Sequence, residues 1–335
     1  MLMVLMIKII IIILLITNCY ADEIYKGDNL KNCNKTVSLA LGSGGARGYA
    51  HIGAIEELER KGYKIKSIAG SSMGALIGGL YAVGKLDEFK KWVLRLDYYD
   101  IYKLIGFSSV QGGLVDANQV FDKIALMIGD VNIEDLPIKY TAVATNLTTQ
   151  KEFLFTKGKL IDAIRASIAI PTIFTAVIRD DMVLVDGGVI NPLPINVIAS
   201  DDTDIKIAVN MDANIENKYK INIPKEYQTS EELLYNRFTK FIKKAELYLP
   251  KQLLEITDSS SSTDIQASKI PNRDIFFILG RTVDIAQSVL SKYSIENYKA
   301  DIIIDIPRYS CEFYEFTKAY KMIEIGKMAT KDRIK

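Results

Sequence analysis

Along the first half of this chain, apolar residues recur at two different spacings, and the switch between them marks the elements. Residues 36–41 (T-V-S-L-A-L) and 64–69 (K-I-K-S-I-A) have the two-residue period and β-branched content of strands. Between them, Ala50, Ile52, Ala54, Ile55 and Leu58 form the apolar side of a helix, with Glu56, Glu57, Glu59, Arg60 and Lys61 on its polar side. Residues 73–83 (M-G-A-L-I-G-G-L-Y-A-V) are apolar and rich in small side chains, as a buried helix is. Farther on, residues 182–185 (M-V-L-V) and 300–306 read as strands. Residues 313–328 read as a helix with Phe316, Tyr320 and Ile323 on its buried side. Strand, helix, strand, helix from residue 36 predicts an α/β fold with a mainly parallel central sheet and helices on both faces.

The regular pattern fills residues 36–212, the expected core. Residues 213–335 form a more polar extension whose last strand and helix complete the same domain. Inside it, residues 231–249 place Leu234, Phe238, Phe241 and Ala245 on one helical side and Arg237, Lys240, Lys243 and Lys244 elsewhere. Two readings stand, a lid or membrane-facing helix and a solvated surface helix. Ser259 to Thr263 (S-S-S-S-T) reads as a linker. Residues 1–21 stand apart: Lys8 precedes the apolar run 9–16, too short to span a bilayer, as in an export signal. Cleavage after Ala21 and lipid attachment at Cys19 are both compatible with it, and an uncleaved anchor is the alternative. The expected location is the cell envelope or outside the cell.

With 335 residues, 49% hydrophobic and 25% charged, the composition is that of a globular domain, and a net charge of +1 gives no support for a nucleic-acid partner. No Cys, His and carboxylate cluster suggests a metal site, and no cofactor is expected. Export would leave Cys33 and Cys311, which an oxidising compartment can join, although their spacing carries no information on proximity.

The candidate chemistry sits at two junctions. Gly70-Ser71-Ser72-Met73-Gly74 is a G-x-S-x-G string between the second strand and the buried helix, the setting in which a tight turn presents a serine hydroxyl. Gly70 and Gly74 leave room for a sharp bend and close packing. Upstream, Gly42-Ser43-Gly44-Gly45-Ala46-Arg47-Gly48 opens the first helix, so its backbone N–H groups can bind a phosphate or an oxyanion. A nucleotide is not expected. The loop is one glycine short of G-x-G-x-x-G, no carboxylate ends the second strand, and no Gly-Lys-Ser/Thr is present. The chain has a single histidine, His51, inside the first helix and read as structural. A base for Ser72 must therefore be a carboxylate. Asp186-Gly187-Gly188, at the end of the 182–185 strand, is the best placed, although Asp-Gly is also an ordinary turn signal.

Four blocks in this order make the chain resemble the bacterial patatin-like phospholipases. They are Gly42 to Gly48, Gly70 to Gly74, Arg165-Ala166-Ser167-Ile168-Ala169-Ile170-Pro171, and Asp186-Gly187-Gly188. Ala144 to Thr149 and Asn191-Pro192-Leu193-Pro194 are lesser similarities, and the likeness spans about residues 36–212. The resemblance implies a Ser-Asp dyad with Ser72 as nucleophile and Asp186 as base. It implies an oxyanion hole from Gly44, Gly45, Ala46 and Met73, with Arg47 as the loop's usual basic residue. Ser43 stands where many members have Gly. The implied activity is hydrolysis of phospholipid or lysophospholipid acyl esters at a membrane surface. An acyltransferase using the same dyad, and a catalytically silent lipid-binding envelope protein, are the alternatives. Because a carboxylate is a weaker base than imidazole by about 2–3 pKa units, either burial raises Asp186 or the oxyanion hole carries a larger share.

Overall fold

The structure is a computed structural model that describes residues 34–97, 99–101, 106–107, 115–116, 118–171, 173–228 and 275–334. The export segment 1–21 with Cys19, the 231–249 helix, the 259–263 linker and the Cys33 half of the suggested disulfide lie outside the described residues. In chain order the strands are β1 (Thr36–Leu41), β2 (Lys64–Ser71), β3 (Gly106–Phe107), β4 (Val115–Asp116), β5 (Lys139–Asn146), β6 (Lys151–Phe155), β7 (Val177–Arg179), β8 (Met182–Asp186), β9 (Ile205–Ala213) and β10 (Ile302–Pro307). The α-helices among the described residues are α1 (Ala50–Arg60), α2 (Met73–Ala82), α3 (Leu86–Val93), α4 (Asn118–Ile128), α5 (Leu160–Ser167), α6 (Ile195–Ile198), α7 (Ile275–Asn297) and α8 (Ala319–Arg333). None of the helices among the described residues is long and apolar enough to cross a membrane.

The main sheet runs β10-β9-β1-β2-β5-β8-β7, with β6 paired to β5. From β10 to β5 every pairing is parallel. Period-two alternation in these strands sends large and small side chains to opposite faces. Val37, Leu39 and Leu41 meet Ile52 and Ile55 of α1, Leu80 of α2 and Met322 of α8 in the larger core. Ala40, Ala69 and Ala208 on the other face are covered by Leu193 and by Ile195 and Ile198 of α6, with Ile295 of α7 packed beside them. β10 thus forms the edge of this sheet and α8 packs on α1.

Two expectations change. The last helix begins at Ala319, not near 313, because the chain before it is bound elsewhere: the Phe313 carbonyl accepts the Ala46 N–H at 2.8 Å. Its buried side is Met322, Ile323, Ile325 and Ala329, while Tyr320 stacks on Tyr227 at 4.8 Å. The second change concerns β8, which runs antiparallel to β5. β6 pairs with β5 over Ala142 to Asn146 and so occupies one edge of that strand. The other edge is shared: β2 takes Lys139 to Val143, and β8 takes Ala144 to Asn146. The carboxyl ends of β2 and β8 thus face each other along one edge of β5, with Ser71 opposite Val143 and Asp186 opposite Ala144.

Candidate active site

That arrangement brings the two junctions together. The chain leaves β2 through Ser72, which has φ 54° and ψ −122°, and enters α2 at the next residue. A non-glycine residue held there stores about 1–3 kcal/mol of strain, kept in place by crowding on both sides. At Gly74 a β-carbon would press on the Leu41 carbonyl and stand 2.8 Å from the Gly42 oxygen. Gly70 packs on the backbone of Gly74 and Ala75.

The Ser72 hydroxyl donates to Asp186 Oδ2 at 2.6 Å, and the Gly188 N–H donates to Asp186 Oδ1 at 2.6 Å. Gly187, between them, lies against the Val143 carbonyl. The Asp186 backbone is fixed by its N–H to the Ala169 carbonyl and by Thr145 Oγ1 to its own carbonyl, both at 2.9 Å. Burial pushes the Asp186 carboxyl up to about 6, against the lowering effect of the Ser72 and Gly188 hydrogen bonds. A carboxylate raised this far is a better base for a hydroxyl than an ordinary aspartate, and it is ionised at neutral pH.

The glycine loop is tied on every side. Gly42 donates to the Val209 carbonyl at 3.1 Å, and Ser43 donates to the Pro192 carbonyl at 2.7 Å. His51 is fully buried and donates through Nε2 to the Gly42 carbonyl at 2.7 Å. Burial lowers its pKa to about 4, so the ring is neutral and serves as a strut for the loop. Gly45 sits at φ 54° with its α-carbon against the Phe313 carbonyl, a position closed to any side chain. Ala46 requires a correction. Its N–H is spent on that same carbonyl at 2.8 Å, so it is not a donor to an oxyanion. Among the described residues the N–H groups of Gly44, Gly45 and Met73 have no protein acceptor. Gly48 packs on the Met73 side chain and so joins the loop to α2.

Arg47 is buried and reaches out of the loop. Nε donates to the Gly44 carbonyl and Nη1 to the Arg308 carbonyl, each at 3.3 Å, and Nη2 donates to Asp284 Oδ1 at 2.9 Å. Asp212 Oδ1 stands 3.7 Å from Nη2.

Two cavities meet at Ser72 and Gly45. One, of about 120 Å³, is walled by apolar groups such as Leu76, Phe89, Trp92, Phe121, Ile124 and Phe174. The other, of about 140 Å³, is bounded by Asp186, Arg47, Asp284 and Gln287 together with Ile173 and Val283. Ester carbonyl carbon at Ser72 Oγ would place one substituent in each.

Several residues of the site carried no role in the sequence reading. Ser167 accepts the Ser72 N–H at 3.0 Å and donates to the Val143 carbonyl at 2.6 Å, which pins the elbow to β5. Its membership in the Arg165 to Pro171 block was the available signal. Phe313 and Asp284 had none, because both come from distant parts of the chain with no local pattern of their own.

A family model described as Patatin-like phospholipase matches residues 39–199. An "Uncharacterized NTE family protein" of Mycobacterium tuberculosis is 37% identical over 320 residues, covering 87% of this chain and 89% of that protein. A lysophospholipase of Neurospora crassa is 29% identical over 209 residues, 57% of this chain and 13% of its own length. A solved structure, VipD from Legionella pneumophila, aligns with a TM-score of 0.44 at 14% identity, over 89% of this chain and 66% of that one.

Proposed function

This chain belongs to the patatin-like phospholipase family, and from that premise we propose that it hydrolyses acyl esters of phospholipids or lysophospholipids with Ser72 as nucleophile and Asp186 as base. The observation that carries the reading is the 2.6 Å hydrogen bond from the Ser72 hydroxyl to a buried carboxylate, at the junction of the two cavities.

Ser72 Oγ attacks the ester carbonyl carbon while its proton passes to Asp186 Oδ2. The C=O electron pair moves onto oxygen, and the resulting oxyanion is met by the N–H groups of Gly44, Gly45 and Met73. Each such donor typically contributes about 3–4 kcal/mol to the transition state. Collapse expels the alcohol, which takes the proton from Asp186, and leaves an acyl group on Ser72. Water then attacks the acyl carbon, giving its proton to Asp186, and collapse releases the fatty acid as Ser72 Oγ takes that proton back. Gly188 holds the second carboxylate oxygen, so the base keeps one orientation through both halves.

Ser72→Ala and Asp186→Asn proteins should each lose lipid hydrolysis by at least about 10³-fold, measured by mass spectrometry of released fatty acid. Near-normal turnover in a folded Asp186→Asn protein would sink the dyad. Product analysis with an added alcohol acceptor separates hydrolysis from acyl transfer.

A further inference from the structure

A guanidinium beside the reacting serine looks like a receptor for a phosphate on the departing alcohol, but its bonding points the other way. Nε and Nη1 of Arg47 are turned onto carbonyls of the chain and Nη2 onto Asp284. Asp212 stands behind at 3.7 Å, its own Oδ2 held by the Ser291 hydroxyl at 2.9 Å. The Arg47 and Asp284 side chains are only 3% and 8% exposed, so the pair is an internal one and solvent does little to screen it. Drawing Arg47 toward a phosphate would take the nearest cation from the buried Asp284, leaving it Arg281 Nη1 at 3.6 Å, and would also remove a cation from the buried Asp212, which is unfavourable.

The cavity walls complete the picture. Arg47 faces the Asp186 cavity together with two carboxylates, Asp186 and Asp284, so among the described residues its lining carries more negative than positive charge. Among the described residues no charged side chain lines the other cavity. The acyl chain belongs in that apolar cavity, and the alcohol fragment in the one with surplus carboxylate.

We infer that the enzyme selects against leaving alcohols of net negative charge, and that its substrates are acylglycerols and lipids with neutral or zwitterionic head groups. This rests on the acyl-hydrolase reading above and adds to it the charge class of the alcohol.

The test compares oleoyl glycerol, oleoyl lysophosphatidylcholine and oleoyl lysophosphatidylglycerol in mixed micelles with excess uncharged detergent, so that acyl chain and surface are held constant. The expected result is kcat/KM at least about fivefold lower for the anionic lipid than for the other two. Gln287, half-buried on α7, lines the same cavity. Gln287→Lys adds a cation without opening a buried pair and should shrink that ratio at least about threefold. An anionic lipid turned over as fast as the others, or a ratio unmoved in a folded Gln287→Lys protein, overturns the inference. The two readings fail differently. If a fluorophosphonate labels Ser72 but none of the three lipids is cleaved, the lipid-hydrolase reading falls and takes this one with it. If all three are cleaved and the anionic one best, only the charge selection is lost.

Discussion

The raised Asp186 carboxyl makes a quantitative prediction about pH. Burial carries it from the ordinary 3.8 to about 6, and under the proposed mechanism it must be ionised to accept the Ser72 proton. At pH 6 about half of the enzyme is competent and at pH 5 about one tenth, whereas an ordinary aspartate would be mostly ionised at both. With a soluble chromogenic ester, kcat/KM should rise tenfold per pH unit at low pH and level off above an inflection at about 6. The same shift bears on stability, with a definite sign. The fold favours the protonated carboxyl, so this contribution is complete below about pH 4 and disappears as pH rises through about 6. A shift of about two units at 1.36 kcal/mol per unit corresponds to about 3 kcal/mol by pH 8. Asp186→Asn removes that cost. Asparagine offers one oxygen for the two donors Ser72 and Gly188, which returns about 1 kcal/mol. Net stabilisation of about 2 kcal/mol at pH 8, reversing to a destabilisation of about 1 kcal/mol at and below pH 4, should appear in urea unfolding of the variant against wild type. The buried His51, lowered to about 4, titrates in both proteins and cancels in the difference. An inflection near 4, or an Asp186→Asn protein equally destabilised at both pH values, refutes the reasoning.

Other perturbations separate the roles of neighbouring groups. Ser167→Ala strips two buried backbone partners from the elbow and should cost about 2 kcal/mol of stability. It should also lower kcat about 10-fold or more with little change in KM, read from melts and steady-state kinetics. Leu76→Phe intrudes on the apolar cavity at Ser72, so a series of nitrophenyl esters should show long-chain turnover falling while acetate turnover is kept. His51→Ala removes the strut under Gly42 at a cost of about 2–3 kcal/mol, yet the kcat/KM inflection of the folded protein should stay at about 6.

Local pattern was enough for the elements that carry Ser72. The alternation in 64–69 and the small-residue run after it fixed β2, the turn and α2, and observed bounds differ by only a residue or two. The single histidine also directed attention to Asp186, whose Oδ2 accepts the Ser72 hydroxyl at 2.6 Å. What could not be read was pairing. The direction of β8, the edge it shares with β2, and the insertion of Phe313 under Ala46 all depend on contacts between residues far apart in sequence, which no periodicity encodes. Ala46 was assigned a donor role for that reason. Nothing within the loop reveals that a carbonyl from more than 250 residues away has already claimed its N–H.

The shared edge of β5 has a bearing on how this family of chains can vary. β5 acts as a ruler on which Val143 and Ala144 are adjacent divisions, one reserved for the strand that delivers Ser72 and the next for the strand that delivers Asp186. Between Asn146 and Met182 the chain pairs β6 with the opposite edge of β5 and carries Ser167 and Ala169, which hold Ser72 and Asp186, before it returns through β7 and β8. Residues can be added or lost at the exposed turns of this stretch, for example around Asp180-Asp181, without moving Ser72 or Asp186. A single residue inserted within β8 itself is another matter. It advances the strand by about 3.3 Å and turns Asp186 to the opposite face of the sheet, so the tolerance to length changes should drop from complete to none across a few positions.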